Sequence, residues 1–231
     1  MNRLLHDKKF ILIYSILVFL FGILGISLEV ARALYDDNFG ASLFVTFLYF
    51  TTQSNLLLTV TLLLFLLKKR HKKSLNYLAF ITLVNIVITA VVFHILLVPY
   101  MEKIGFIHHV LHTVNPILYV LFYYIIYDQK LPLNKFWIAL IYPLVFMASV
   151  YIFIEPFFGD LIENTIPDFA SARYVYPFLD PKNYERETLG LLAFNLGLLA
   201  PIFTLFSYLL LYFKQKIYLK IHNIKYDIKK V

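Results

Sequence analysis

The chain contains no cysteine, which excludes a disulfide framework, a thiolate metal site and a thiol nucleophile. Any chemistry must come from hydroxyl, imidazole, carboxylate or amine groups. Charge is scarce as well: only 15% of the 231 residues are charged, against 61% hydrophobic and 18% aromatic. That is too little to face a soluble domain with water. No stretch is left over for a separate soluble domain, because six apolar segments and their connections use most of the length. Beyond the shared hydropathy of these segments there is no internal repeat, so an inverted-repeat transporter lacks support.

The six apolar runs lie at about residues 10–30, 41–67, 75–98, 108–127, 135–155 and 189–213. Each is long enough to cross a hydrocarbon core as a helix. The stretch from Ile11 to Leu28 carries no charge and is flanked by Lys8 and Lys9 on one side and Glu29 and Arg32 on the other. A basic start before an apolar core is also the pattern of a signal peptide, but this run is long and no small-x-small cleavage site follows it. The expected fold is therefore all-α and polytopic: a single transmembrane domain over residues 1–231 with six transmembrane helices. Pro143 and Pro201 are candidates to kink the fifth and sixth.

Lys and Arg resist translocation, so their distribution orients the chain. With the N-terminus inside, the inside set is Arg3, Lys8, Lys9, Lys68, Lys69, Arg70, Lys72, Lys73, Lys130, Lys135, Lys214, Lys216, Lys220, Lys225, Lys229 and Lys230, leaving only Arg32, Lys103, Arg173, Lys182 and Arg186 outside. The expected arrangement has the N- and C-termini cytoplasmic. The formal net charge of +7 then reads as a topology signal with anionic-lipid contact, not as a nucleic-acid footprint. The one long connection, 156–188, is expected outside. Its Tyr174, Tyr176, Pro177, Phe178 and Pro181 fit either an interfacial anchor or a lid over a cavity.

Polar residues inside apolar spans are costly unless partnered, so their grouping matters. In the second span Thr51, Ser54, Asn55 and Thr59 follow helical spacing on one face, and in the fourth His108, His112 and Asn115 do the same, with His109 three residues before His112. As one continuous helix, the second span would carry Thr51 roughly 15 Å in from its outer start. His94, near the end of the third span, lies at a similar depth. A polar cavity opening outward beneath the long loop follows. Three readings compete: interhelical hydrogen bonding alone, the bland case for Ser54, Thr59 and Asn85; a metal site from His94, His108, His109 and His112, for which no closed ligand set can be completed; and nucleophilic catalysis. In the last, Thr51 is the nucleophile and His112 the base, with Asn115, Asn55 or Glu29 available to orient the imidazole. No cofactor or metal is called for.

Three segments carry a family likeness: Phe50-Thr51-Thr52-Gln53-Ser54-Asn55-Leu56, His109-Val110-Leu111-His112-Thr113-Val114-Asn115-Pro116, and Tyr174-Val175-Tyr176-Pro177-Phe178-Leu179-Asp180-Pro181. In them the chain resembles the androgen-induced and androgen-dependent membrane proteins and their bacterial six-span relatives. Animal members of that family cleave fatty-acid esters of hydroxy fatty acids with one intramembrane Thr and one His. The resemblance implies Thr51 as nucleophile, with Thr52 adjacent, and His112 as base. Thr-Gln-Ser-Asn after Thr51 resembles the bacterial branch, which implies a bacterial cytoplasmic membrane and a lipid ester as partner. Substrate contacts are expected from Ser54, Asn55, His94, His109, Asn115 and Tyr176. The alternative is a non-catalytic protein that binds or transports a lipid or small ligand in the same cavity.

Overall fold

The computed structural model describes residues 7–69, 72–101, 103–167, 169 and 171–228; Arg3, Arg70, Lys229 and Lys230 of the basic set, and both ends of the expected domain, lie outside them. Among the described residues all regular structure is helical. In chain order the helices are α1 (Lys8–Leu34), the shorter α2 (Phe39–Leu48), α3 (Phe50–Leu67), α4 (Lys73–Tyr100), α5 (Phe106–Ile126), α6 (Leu133–Thr165) and α7 (Glu187–Leu219). All but α2 are long and apolar enough to cross a membrane, which makes the chain a multi-pass membrane protein.

Two boundaries differ from the hydropathy pattern. The run expected as one helix over 41–67 is broken at Tyr49, whose extended backbone (ψ 134°) separates α2 from α3. Thr51 therefore stands in the first turn of a helix, not deep within a continuous one. The break leaves carbonyls at the end of α2 without helical partners, and Gln53 supplies them: its Nε2 donates to the Phe47 carbonyl at 2.9 Å and to that of Leu48 at 3.4 Å. Such compensation is obligatory where water is absent. The second difference is the connection expected over 156–188, whose first third is helical and continues α6 through Thr165.

Proline accompanies four of the remaining irregularities. Pro99, Pro116, Pro156 and Pro201 each follow a wide, π-type turn by two residues, the turns being Phe93–Leu97, Val110–Val114, Val150–Ile154 and Ala193–Leu199. In each case the residue just before the proline donates to the carbonyl five back: Val98 to Phe93, Asn115 to Val110, Glu155 to Val150 and Ala200 to Asn195. A proline ring has no N–H to give and collides with the carbonyl four back, so the chain widens by one residue there and resumes. Pro143 is different, being preceded by a tight 3₁₀ stretch over Leu133–Leu140.

Helices α3, α4 and α5 form the enclosed centre, while α1, α6 and α7 turn most of their surface outward. Glycine sets the approach of α1. A Cβ on Gly22 would fall 2.5 Å from Thr59 Oγ1 and 2.9 Å from Leu58, and one on Gly25 would fall 2.8 Å from Leu111 and 3.0 Å from Asn115 Nδ2. Close backbone packing of this kind drives association in lipid, where burial of apolar surface gives no advantage. Buried hydroxyls then find near partners, with Thr61 and Thr82 hydroxyls 2.8 Å apart between α3 and α4 and Thr59 bonded back to the Asn55 carbonyl at 2.9 Å. Gly22→Val is expected to cost about 1–3 kcal/mol through overpacking, read as a lower thermal midpoint in detergent. Gly197→Ala meets nothing within 4 Å and should leave that midpoint unchanged.

Candidate functional site

The break at Tyr49 and the wide turn before Pro116 bring the motif residues to one end of the bundle. There a chamber of about 460 Å³ is lined by Glu29 and Arg32 of α1, Thr51 and Thr52 of α3, Phe93 and Leu97 of α4, and His108 and His112 of α5. Ile166, Pro167, Phe169 and Tyr176 of the long connection close it. A second chamber, about 110 Å³ and almost wholly apolar, lies among α3, α4, α6 and α7 with Ile88, Val92, Leu144 and Phe203 on its walls. Thr51, Leu97 and Tyr176 line both. Thr51 is thus at the partition between a polar and an apolar space.

Thr51 is held there through its backbone. Its N–H donates to the Tyr176 hydroxyl at 3.3 Å, giving one of the unpaired amides at the start of α3 a partner. Burial pushes the Tyr176 phenol up to about 12, so it stays protonated with a proton to offer at the partition. Tyr176 is itself wedged between rings, with centroids 5.7 Å from Tyr49 and 5.4 Å from Phe178. The following carbonyls are gripped: Tyr151 and Tyr184 donate to those of Leu179 (2.6 Å) and Phe178 (2.8 Å), and Asn195 Nδ2 donates to Phe178 at 3.0 Å. Val175, immediately before Tyr176, has φ 68°, a conformation costly for a β-branched side chain. Two residues further back, Arg173 bonds Glu155 at 2.8 Å and Glu163 at 3.0 Å and also pairs with Asp160. These acids raise its pKa and hold the strained turn onto the end of α6.

His112 is buried and stacked on Phe93, with centroids 3.8 Å apart and planes 9° from parallel. Its ring faces the backbone carbonyl of Thr89, and its Nδ1 is buried without a hydrogen-bond partner. The orienting group expected among Asn115, Asn55 and Glu29 is thus replaced by a main-chain carbonyl. His108 lines the same chamber, and its Nδ1 accepts the Gly105 N–H at 3.1 Å.

The other expected contacts are placed differently. Asn115 Nδ2 donates to Asn55 Oδ1 at 2.7 Å, while Asn55 Nδ2 donates to the Thr51 carbonyl at 2.9 Å and faces that of Leu111 at 3.4 Å. These two amides tie α3 to α5 beside Thr51 and His112 and do not line either chamber. Ser54 is buried behind them with no hydrogen-bond partner. His94 Nε2 meets Thr113 Oγ1 at 3.0 Å, and neither His94 nor His109 lines a chamber. On α5, His112 shares the chamber face with His108 four residues back, and His109 lies off that face. The four imidazoles do not converge on a common point, and among the described residues no trio of His, Asp or Glu is grouped as a metal would require. Glu29 and Arg32, read from the sequence as the charged flank of a span, are chamber walls. Asn195, absent from the expected site, holds its loop.

Removing either amide of the Asn55–Asn115 pair leaves the other buried and unsatisfied, at a cost of about 1–3 kcal/mol. Asn55→Ala and Asn115→Ala should therefore be markedly less than additive in a double-mutant thermal-unfolding cycle. Additive effects would show that the pair does not couple the helices. Compared with known proteins, the chain matches no family model, no curated protein and no solved structure.

Proposed function

We propose that this chain is an intramembrane hydrolase of a lipid ester, with Thr51 as nucleophile and His112 as base. The observation that carries the reading is the meeting, in one chamber, of a partition hydroxyl on Thr51 and a buried imidazole on His112 whose Nδ1 has no partner. A proton kept on Nε2 by the Thr89 carbonyl leaves the Nδ1 lone pair as the base, the role a carboxylate fills in other triads. The likeness of the Thr51, His112 and Tyr176 segments to the androgen-induced membrane protein family supports the same assignment. A fatty-acid ester of a hydroxy fatty acid is the substrate type that this likeness brings.

In the reaction, the Thr51 hydroxyl attacks the ester carbonyl and passes its proton to His112. The oxyanion formed accepts a hydrogen bond from the Tyr176 hydroxyl, a donor fixed in position and shielded from water. Collapse expels the alcohol, which takes the proton from His112 and leaves an acyl-Thr51 ester. Water, deprotonated by His112, attacks that ester; collapse releases the acid, and Thr51 leaves as a hydroxyl by taking the proton back from His112. The acyl chain lies toward the apolar chamber. At about 110 Å³ that space is smaller than a cavity of ~150 Å³ that holds benzene, so a long chain continues past the exposed Leu144 into lipid. The Lys and Arg bias supports cytoplasmic termini and an outward-facing chamber, and the bacterial-type Thr-Gln-Ser-Asn after Thr51 supports residence in a bacterial cytoplasmic membrane.

In the structure the Thr51 hydroxyl is not hydrogen-bonded to His112; it neighbours the Tyr176 hydroxyl. This favours a second reading, a non-catalytic lipid or small-ligand binding or transport protein with the same chambers. The two separate on labelling with an alkyl fluorophosphonate followed by mass spectrometry. A hydrolase is expected to carry the adduct on Thr51 and to lose it, with ester turnover, in Thr51→Ala and His112→Ala; Tyr176→Phe should lower kcat by about 10²-fold. Folded protein that takes no adduct and turns over no ester would be a binder or carrier. A fluorescent-protein fusion at the C-terminus, bright only in the cytoplasm, tests the orientation.

A further inference from the structure

The apolar chamber behind Thr51 reaches a thin wall at α7. Leu140 and Leu144 of α6 and Ala200 and Thr204 of α7 are among its lining residues. Ala200 and Thr204 also line an open, mainly apolar groove, together with Leu196, Leu205 and Tyr208 of α7 and Phe136 of α6. Leu196, Leu205 and Tyr208 are exposed, so the groove faces lipid. Where chamber and groove meet, Ala200 offers only a methyl, and the Thr204 hydroxyl is bonded back to the Ala200 carbonyl at 2.7 Å. On either side of this stretch α7 is fastened: Asn195 Nδ2 donates to the Phe178 carbonyl at 3.0 Å, and the Ser207 hydroxyl donates to the Phe136 carbonyl at 2.6 Å.

Resting on the hydrolase reading above, we propose that chamber and groove form one acyl-chain subsite: the fatty-acyl chain of the substrate runs from Thr51 through the chamber, leaves between Leu144 and the Ala200 and Thr204 face of α7, and lies along the groove. Three observations favour this occupant. The polar chamber on the other side of Thr51, with Glu29, Arg32 and His108 on its walls, offers a hydrocarbon chain no matching surface. The apolar chamber, at about 110 Å³, holds only the first part of a long chain. The groove runs from Leu196 to Tyr208, roughly 18 Å at ~1.5 Å per residue. Half of a ~30 Å hydrocarbon core is ~15 Å, the depth that the chains of one leaflet fill, so the groove has the length of a single acyl chain. Ala200 and Thr204 stand one turn apart on one face of α7 and set the width of the passage. They are therefore the residues that determine acyl-length specificity: short chains end inside the chamber, and long chains must pass them.

The test uses the full chain in nanodiscs and a hexadecyl fluorophosphonate carrying a diazirine at the far end of its chain. Once the phosphorus is on Thr51, illumination and mass spectrometry locate the tail. The expected crosslinks fall on Ala200, Thr204 and the groove residues Leu196 and Leu205. An adduct on Thr51 whose tail crosslinks only to α1, to α5 or to bilayer lipid would overturn the acyl path and leave the hydrolase reading standing. In a second measurement, Ala200→Phe is expected to lower the ratio of kcat/KM for p-nitrophenyl palmitate to that for p-nitrophenyl butyrate by about tenfold or more. An unchanged ratio in folded variant would overturn the same assignment. The crosslink is read on the unaltered protein, so misfolding of the variant would not obscure it. No adduct on Thr51 together with no turnover of either ester would remove the hydrolase reading and this inference with it.

Discussion

The hydrogen bond from the Thr51 amide to the Tyr176 hydroxyl is the point on which the site depends. A helix that begins inside an apolar bundle exposes amides with nothing to bind, and the absence of water makes such a start untenable unless a side chain answers it. Tyr176 answers from the loop, and it reaches the spot because Val175 is held in an unfavourable conformation and the next carbonyls are gripped by Tyr151, Tyr184 and Asn195. Arg173 anchors the same turn to α6 through three acids. The loop, the helix break and the wall between the chambers are one arrangement, and loosening any part of it shifts Thr51.

A second constraint is the recurring proline joint. Local widening precedes Pro99, Pro116, Pro156 and Pro201, and lets the helices run on past the last three. Two of these joints carry or flank the imidazoles. The turn over Val110–Val114 faces His112 into the chamber, and that over Phe93–Leu97 begins with the ring on which His112 stacks. Backbone irregularity and side-chain aim have the same cause here.

Hydropathy made the six spans legible, since each is an uninterrupted apolar run. It was blind to the break at Tyr49, because one extended residue without Pro or Gly leaves composition untouched, and to the helical start of the long connection, because Asp160 and Glu163 read as loop. Thr51, His112 and Tyr176 stood out as polar or motif residues in apolar surroundings, and they do line one chamber. His109 was grouped with them by helical spacing, which does not hold across a π-type turn, and His94 by depth alone, which carries no information on where a side chain faces. Asn55 and Asn115 were visible as polar residues but not as partners of each other. The Thr89 carbonyl and the Phe93 ring could not have been found, since neither a main-chain oxygen nor another apolar residue makes any mark in a pattern of polarity.

The break at Tyr49 also bears on the match between the protein and its bilayer. As one straight helix, the apolar run from Phe39 to Leu67 would be roughly 44 Å long at 1.5 Å per residue, while a hydrocarbon core is ~30 Å thick. A helix that long must tilt steeply or thicken the lipid around it. Dividing it lets α3 span alone and frees α2 to follow a different direction. Relief of hydrophobic mismatch and the placing of Thr51 at a helix start beside the chamber are thus met by the same residue, which ties the geometry around Thr51 to the thickness of the membrane that holds it.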